Sequence, residues 1–110
     1  MALNHARLDA LVVYFGAAQT ADMIGRVIDG LAARVTDLHR ASDAAAARRL
    51  GHEIKGVASM YGLDAVAEAA LAIERDAGTV SLPGLVTRLD GLMEEAMRDL
   101  GAFARGLASS

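Results

Sequence analysis

The chain has 110 residues with one proline and no cysteine, and 54% of its residues are hydrophobic while only 4% are aromatic. This length suits one compact domain over residues 1–110, and the lack of cysteine excludes disulfide scaffolds and thiolate metal sites. The formal net charge of −3 gives no indication of nucleic acid or an anionic membrane as a partner. Alanine-rich stretches and a charged fraction of 23% favour an all-α fold over disorder or an all-β fold.

Apolar residues recur at the spacing of an amphipathic helix in five segments of the chain. Start signals support these segments: Thr20 or Asp22 for the second, Asp43 for the third and Asp64 for the fourth. Pro83 suits the first turn of the last segment. The predicted helices cover residues 6–15, 20–40, 43–61, 64–77 and 83–107. The short connections between the four long helices predict an antiparallel up-and-down four-helix bundle with a short N-terminal capping helix.

The third helix carries an unusual group of polar residues on the face opposite its apolar stripe. At about 100° per residue, this group lies within roughly 60° of His52, whereas Leu50 and Ile54 lie about 160° away. The group includes the only lysine in a chain that has ten arginines. Its members are Arg48, Arg49, Lys55, Gly56 and Ser59. Such a face is usually only a solvated surface, so further observations are needed to indicate a function.

Two glycines flank the histidine inside this helix, where each costs about 1 kcal/mol relative to alanine. One explanation for Gly51 and Gly56 is tight helix packing. The other is that a missing side chain lets the backbone of a partner protein approach His52 closely. Because Gly56 lies on the face of the histidine and away from the apolar stripe, the second explanation is favoured there.

Glu74 is predicted to lie level with His52 on the neighbouring helix. His52 precedes the turn at Gly62 by ten residues, about 15 Å of helix, and Glu74 follows it by twelve, about 18 Å. A carboxylate that accepts the Nδ1 proton would leave Nε2 as the outward nucleophile, and Lys55 could neutralise a phosphoryl group placed there. Pairing of Glu74 with an arginine or with solvent is the alternative.

The segment HEIKGVAS over residues 52–59 resembles the H-x-x-K-G-[small] motif of histidine phosphotransfer (HPt) domains, which act in bacterial two-component phosphorelays. The family spacing continues with Gly62 and Glu74, and the similarity extends over nearly the whole chain. We interpret three departures from the commoner residues of the family as changes in docking surface or packing. These departures are Val57, Met60 and Ala69.

The resemblance implies a bundle whose exposed histidine carries a phosphoryl group between proteins. His52 would accept it at Nε2 from a receiver-domain aspartate or a (hybrid) histidine kinase and pass it to the aspartate of a response-regulator receiver domain. Lys55 would stabilise the phosphate, and Glu74 would orient Nδ1. The expected docking residues around the histidine are Ala45, Arg48, Arg49, Gly56, Ser59 and Met60.

On this interpretation the chain is a phosphocarrier without autonomous kinase activity, expected in the cytoplasm and as a monomer. No cofactor is expected on the chain itself, because Mg²⁺ is expected on the partner receiver domain. Neither nucleic acid nor a membrane is an expected partner. The initial methionine and the short serine tail favour a stand-alone chain over a domain excised from a larger kinase.

Two other classes of protein stay open. A bundle of the same fold could dock a receiver or kinase without carrying phosphate, although it would not need Lys55 and Glu74 in register with His52. A metal-binding bundle could use His52, Glu53 and Glu74. Against this, Glu53 points about 100° away from His52 on its helix, and the other histidines show no ligand spacing.

Overall fold

In a computed structural model, which describes residues 3–79 and 81–109, the described chain is almost entirely helical and contains no strand. The helices are α1 (His5–Phe15), α2 (Ala17–Arg40), α3 (Ala44–Met60), α4 (Asp64–Asp76) and α5 (Leu82–Ala108). Helices α2 and α4 each contact both α3 and α5, and α1 packs on α2, so the four long helices enclose one core. The prediction of an all-α helical bundle is confirmed. The antiparallel up-and-down topology fits this order of neighbours and stays a prediction.

The bundle is elongated, with principal extents of 47 × 21 × 21 Å. Within the described residues, none of the helices combines the length and the apolar character needed to cross a membrane. Met1 and Ser110, on which the expectation of a stand-alone chain rests, lie outside the described ranges.

Helix α2 begins at Ala17, three residues before its predicted start, because Gly16 turns the chain sharply after α1. Gly16 has φ +83°, a conformation that glycine adopts without steric cost. The prediction that Thr20 or Asp22 starts the helix is wrong. The buried Thr20 hydroxyl instead donates to the carbonyl of Leu11 (3.2 Å) and ties α2 to α1, while Asp22 forms an exposed ion pair within α2.

The turn between α3 and α4 is closed by the N-terminal segment. Asp43 caps the start of α3 as predicted, accepting from the Ala46 amide (2.7 Å), and α3 ends shortly before Gly62, which has φ +73°. The backbone amide of Asn4 donates to the Gly62 carbonyl (2.7 Å), and the Asn4 side chain donates to Asp64 (3.0 Å). Asp64 is the first residue of α4 rather than its cap, and Leu63 occupies the cap position.

Small residues on the inward faces of α3 and α4 bring these two helices close together. A Cβ built on Gly51 would lie 2.9 Å from the carbonyl oxygen of Ala70 and 3.1 Å from the backbone nitrogen of Glu74. With alanine and glycine at most facing positions, little side-chain volume separates the two axes. The buried residues of the two helices are Ala47, Leu50, Gly51, Ile54, Ala58, Val66, Ala69, Ala70 and Ile73.

The two glycines beside His52 have different roles in packing. Gly51 is buried against α4, so tight packing explains it. Gly56 is exposed, and a Cβ added there would meet nothing within 4 Å, so packing does not require it. Its position one turn after the histidine distinguishes it from the other glycines with open space around them. Those are Gly16, Gly25, Gly84, Gly91 and Gly106.

We expect Gly51→Ala to lower the free energy of unfolding by up to about 2 kcal/mol, because overpacking costs about 1–3 kcal/mol whereas the gain in helix propensity is about 1 kcal/mol. Gly56→Ala is the matched control and should raise the free energy of unfolding by up to about 1 kcal/mol, since its Cβ meets nothing. Urea unfolding followed by circular dichroism measures both changes. Equal stabilisation by the two alanines would contradict the packing assigned to Gly51.

Candidate functional site

His52 lies on the exposed face of α3, beside the close contact between α3 and α4. Its side chain is 68% exposed, and its Nδ1 lies 2.9 Å from Oε2 of Glu74 on α4. This is the contact expected from the level positions of the two residues. Because an ionised carboxylate only accepts hydrogen bonds, Nδ1 carries the proton and the neutral ring keeps its lone pair on Nε2. The exposed ring therefore offers a nucleophilic nitrogen to solvent.

The packing at Gly51 determines where Glu74 stands. The backbone nitrogen of Glu74 lies 3.1 Å from the Cβ position of Gly51, the residue that precedes His52 in the sequence. A larger side chain at position 51 would press directly on the backbone of Glu74 and displace its carboxylate from the imidazole. The same local contact thus holds the two helices together and sets the His52–Glu74 hydrogen bond.

Lys55 binds the other oxygen of the same carboxylate. Its Nζ lies 3.1 Å from Oε1 of Glu74, whose side chain is only 25% exposed. Hydrogen bonds from His52 and then from Lys55 hold the pKa of Glu74 below its ordinary value of 4.5, against the opposing effect of burial. The contact between Lys55 and Glu74 was not predicted from the sequence. The helical position of Lys55, one turn after His52 and on the same side as Gly51, is the signal that indicates it.

The expected docking residues surround the histidine on the outer face of α3. All six are exposed: Ala45, Arg48, Arg49, Gly56, Ser59 and Met60. Arg48 lies toward the end of α4, where its Nη2 is 2.7 Å from the Cβ position of Gly78. Met60 is 55% exposed and so places a large apolar side chain on this face. Of the three departures from the common family residues, Met60 thus lies on the surface, whereas Ala69 is buried in the core.

An open groove of about 480 Å³ runs between α2 and α3 beside His52. It brings Arg34 of α2 into the site, which was not predicted from the sequence. Arg34 lies six residues before the end of α2 and His52 eight residues after the start of α3, so the helical rise places them nearly level. The residues that line the groove are Val27, Arg34, His52, Glu53, Gly56, Val57, Met60 and Tyr61.

The other two histidines lie away from this site. The ring of His5 contacts that of Phe103, with centroids 5.9 Å apart, and Nε2 of His39 lies 2.9 Å from Oδ1 of Asp90 on α5. Glu53, on α3, lines the groove between α2 and α3, whereas Glu74 lies on α4, on the other side of His52. Over residues 3–79 and 81–109, no three His, Cys, Asp or Glu side chains are grouped closely enough to hold a metal ion.

The family model of the Hpt domain matches residues 17–103. The match contains His52, Lys55 and Glu74, and it covers most of the chain. The chain belongs to the Hpt domain family. Searches among curated proteins and among solved structures gave no match. The resemblance seen in residues 52–59 is thereby confirmed, and with it membership in a family of phosphocarrier modules that interact with receiver domains and kinases in phosphorelays.

The lowered pKa of Glu74 predicts a pH-dependent contribution of this Hpt domain's carboxylate to its stability. A carboxylate with a lower pKa in the folded state than in the unfolded state stabilises the fold above the unfolded value, and this contribution is lost as pH falls through the folded value. Wild type should therefore exceed Glu74→Gln in stability at neutral pH, and the difference should shrink below about pH 4.5.

Urea unfolding at a series of pH values measures this difference. Glu95→Gln, at an exposed glutamate on α5, is the control for the loss of one negative charge. A difference between wild type and Glu74→Gln that stays constant across the acid range, or grows as pH falls, would contradict the assigned bonds to His52 and Lys55.

Proposed function

We propose that this Hpt domain is a phosphorelay intermediate in which His52 accepts a phosphoryl group from a receiver aspartate or a histidine kinase and passes it to a response-regulator receiver aspartate. The observation that carries the proposal is the arrangement around Glu74. One carboxylate holds Nδ1 of an exposed histidine and the ammonium of Lys55 one helical turn away. This arrangement supports Nε2 as the phosphoacceptor and a cation beside it.

The transfer step is a displacement at phosphorus. Nε2 of His52 attacks the phosphorus of an aspartyl phosphate, the new N–P bond forms, and the P–O bond to the aspartate breaks, so that the aspartate carboxylate leaves with the electron pair. Nδ1 keeps its proton, and the positive charge on the phosphorylated ring is stabilised by Glu74. When the phosphoryl group passes to the next aspartate, Nε2 takes back the electron pair. No proton enters or leaves the Hpt domain in either direction.

Most of the catalytic machinery in this proposal belongs to the partner. Mg²⁺ would be held by the receiver domain, where it neutralises the phosphoryl oxygens, and the Hpt domain would supply an oriented nucleophile or leaving group. The sequence contains no glycine-rich phosphate loop, which supports a carrier without kinase activity of its own. We assign the relay to the cytoplasm of a bacterium and the carrier to a monomer.

The proposed docking surface is the exposed face around His52. Gly56 leaves room for the partner's backbone, and Met60 offers an apolar contact. Arg48 and Arg49 form no ion pair within the described residues, so their charges are available to the acidic edge of a receiver's aspartate site. Ala45 and Ser59 complete the surface. Contacts of this kind are small and dissociate quickly.

We expect His52→Gln to fold normally and to take no label from a ³²P-phosphorylated receiver domain, because the accepting nitrogen is gone. His39→Gln is the matched control, since His39 also bonds a carboxylate on a neighbouring helix, and it should label like wild type. The label on wild type should be acid-labile and base-stable, as a phosphohistidine requires.

Two results would contradict the proposal. Continued labelling of His52→Gln would assign the phosphoryl group to another residue. Tight binding of a phosphorylated receiver without any label on wild type would instead identify a docking module that does not carry phosphate.

A further inference from the structure

Arg34 faces the groove beside His52 without a carboxylate partner in the described part of the chain. Its Nη1 donates to the carbonyl of Gly30 in its own helix (3.1 Å), and its Nε is buried with no hydrogen-bond partner among the described residues. A guanidinium has five N–H donors, so this conformer satisfies it poorly. Burial of an unpaired N–H is unfavourable, and little holds the side chain against rotation toward a better acceptor.

Gly30 leaves the space in which this guanidinium folds back. A Cβ at position 30 would lie 3.2 Å from Nη1 of Arg34, closer than an ordinary van der Waals contact. The sequence alone gives no reason for a glycine inside α2, where it lowers helix propensity. The position of Arg34 supplies one: with glycine at position 30, the guanidinium stays at the edge of the groove.

Around His52, a cation is paired with a carboxylate on the side of α4 but not on the side of α2. On the side of α4, Lys55 already shares its charge with Glu74. Phosphoryl groups on proteins carry about 1.5–2 negative charges at neutral pH and three acceptor oxygens. Lys55 alone leaves part of this charge uncompensated. Arg34, nearly level with His52 on the side of α2, is a cation that lines the same groove and has no ion pair among the described residues.

We propose that Arg34 binds the phosphoryl group carried on Nε2 of His52. On phosphorylation its guanidinium leaves the carbonyl of Gly30 and donates charge-assisted hydrogen bonds to the phosphoryl oxygens, opposite Lys55. The phosphoryl group would then lie between cations from two helices. This role rests on the proposed function of His52. Glu53 lines the same groove but forms no ion pair with Arg34, and a purely neutralising role toward Glu53 is the alternative to be tested.

The test uses the full chain phosphorylated on histidine by potassium phosphoramidate, a small donor that removes partner docking from the measurement. A ³¹P NMR titration gives the proton affinity of the phosphoryl oxygens. Arg34→Gln should raise that affinity about two- to tenfold, because a neighbouring cation favours the fully ionised form. In wild type, the Nε–H resonance of Arg34 should also shift on phosphorylation, and it should not shift in His52→Gln treated in the same way.

Two further variants separate this role from general charge effects. Arg26→Gln removes the same charge from the same helix, at a residue already paired with Asp22, and should change the proton affinity less than twofold. The effect of Arg34→Gln should persist in a Glu53→Gln background. Its disappearance there would show that Arg34 acts only by neutralising Glu53 and would overturn the proposal.

The remaining outcomes distinguish this inference from the proposed function. If neither phosphoramidate nor a phosphorylated receiver labels His52, the proposed function fails, and the role of Arg34 fails with it. If His52 is labelled but the phosphoryl proton affinity is unchanged in Arg34→Gln, only the role of Arg34 is overturned. Should Arg34→Gln not fold, the Nε–H resonance of the wild-type protein decides: no shift on phosphorylation overturns the inference.

Discussion

The close approach of α3 and α4 at Gly51 is the constraint on which the rest of the site depends. A Cβ built on Gly51 would lie 2.9 Å from the carbonyl oxygen of Ala70, so the two backbones are in contact here. This contact puts the backbone of Glu74 next to Gly51, the residue that precedes His52. A carboxylate from a second helix can then reach the imidazole, with Oε2 of Glu74 2.9 Å from Nδ1 of His52. The small residues at this interface let the two helices approach closely, and they also fix the geometry of an exposed nucleophile. Function and packing therefore share one sequence requirement, a glycine in the middle of a helix.

Glu74 explains how His52 would stay ready for phosphate in the proposed relay. Bonds from His52 and Lys55 keep the carboxylate ionised, and an ionised carboxylate fixes the proton on Nδ1. The resting site is close to neutral on the side of α4, so Lys55 is held in place without an unpaired charge. In the proposed relay, a phosphoryl group would draw on Lys55 from one side and on Arg34 from the other. The proposed carrier thus gains its negative charge at a position already flanked by cations.

Much of the fold and the central pair of the site could be predicted from the sequence, because periodicity reports which residues face the core and helical rise reports which residues are level. That arithmetic predicts that His52 and Glu74 are level, and the structure shows that they bond to each other rather than Glu74 to an arginine. The start of α2 could not be predicted in this way. Gly16 alone separates α1 from α2, so α2 begins before Thr20 and Thr20 does not cap it. The role of Arg34 could not be found either, because it depends on a rotamer and on the distance between two helices, which periodicity does not report.

The most direct test of the account is to locate the phosphoryl group on the ring. The protein is labelled with ¹⁵N-histidine, phosphorylated by a phosphorylated receiver domain, and the phosphorus is assigned to a nitrogen through ¹⁵N–³¹P coupling. The account predicts one phosphoryl group, on Nε2 of His52, with the proton retained on Nδ1 beside Glu74. Phosphorus on Nδ1 of His52, or on His5 or His39, would contradict it.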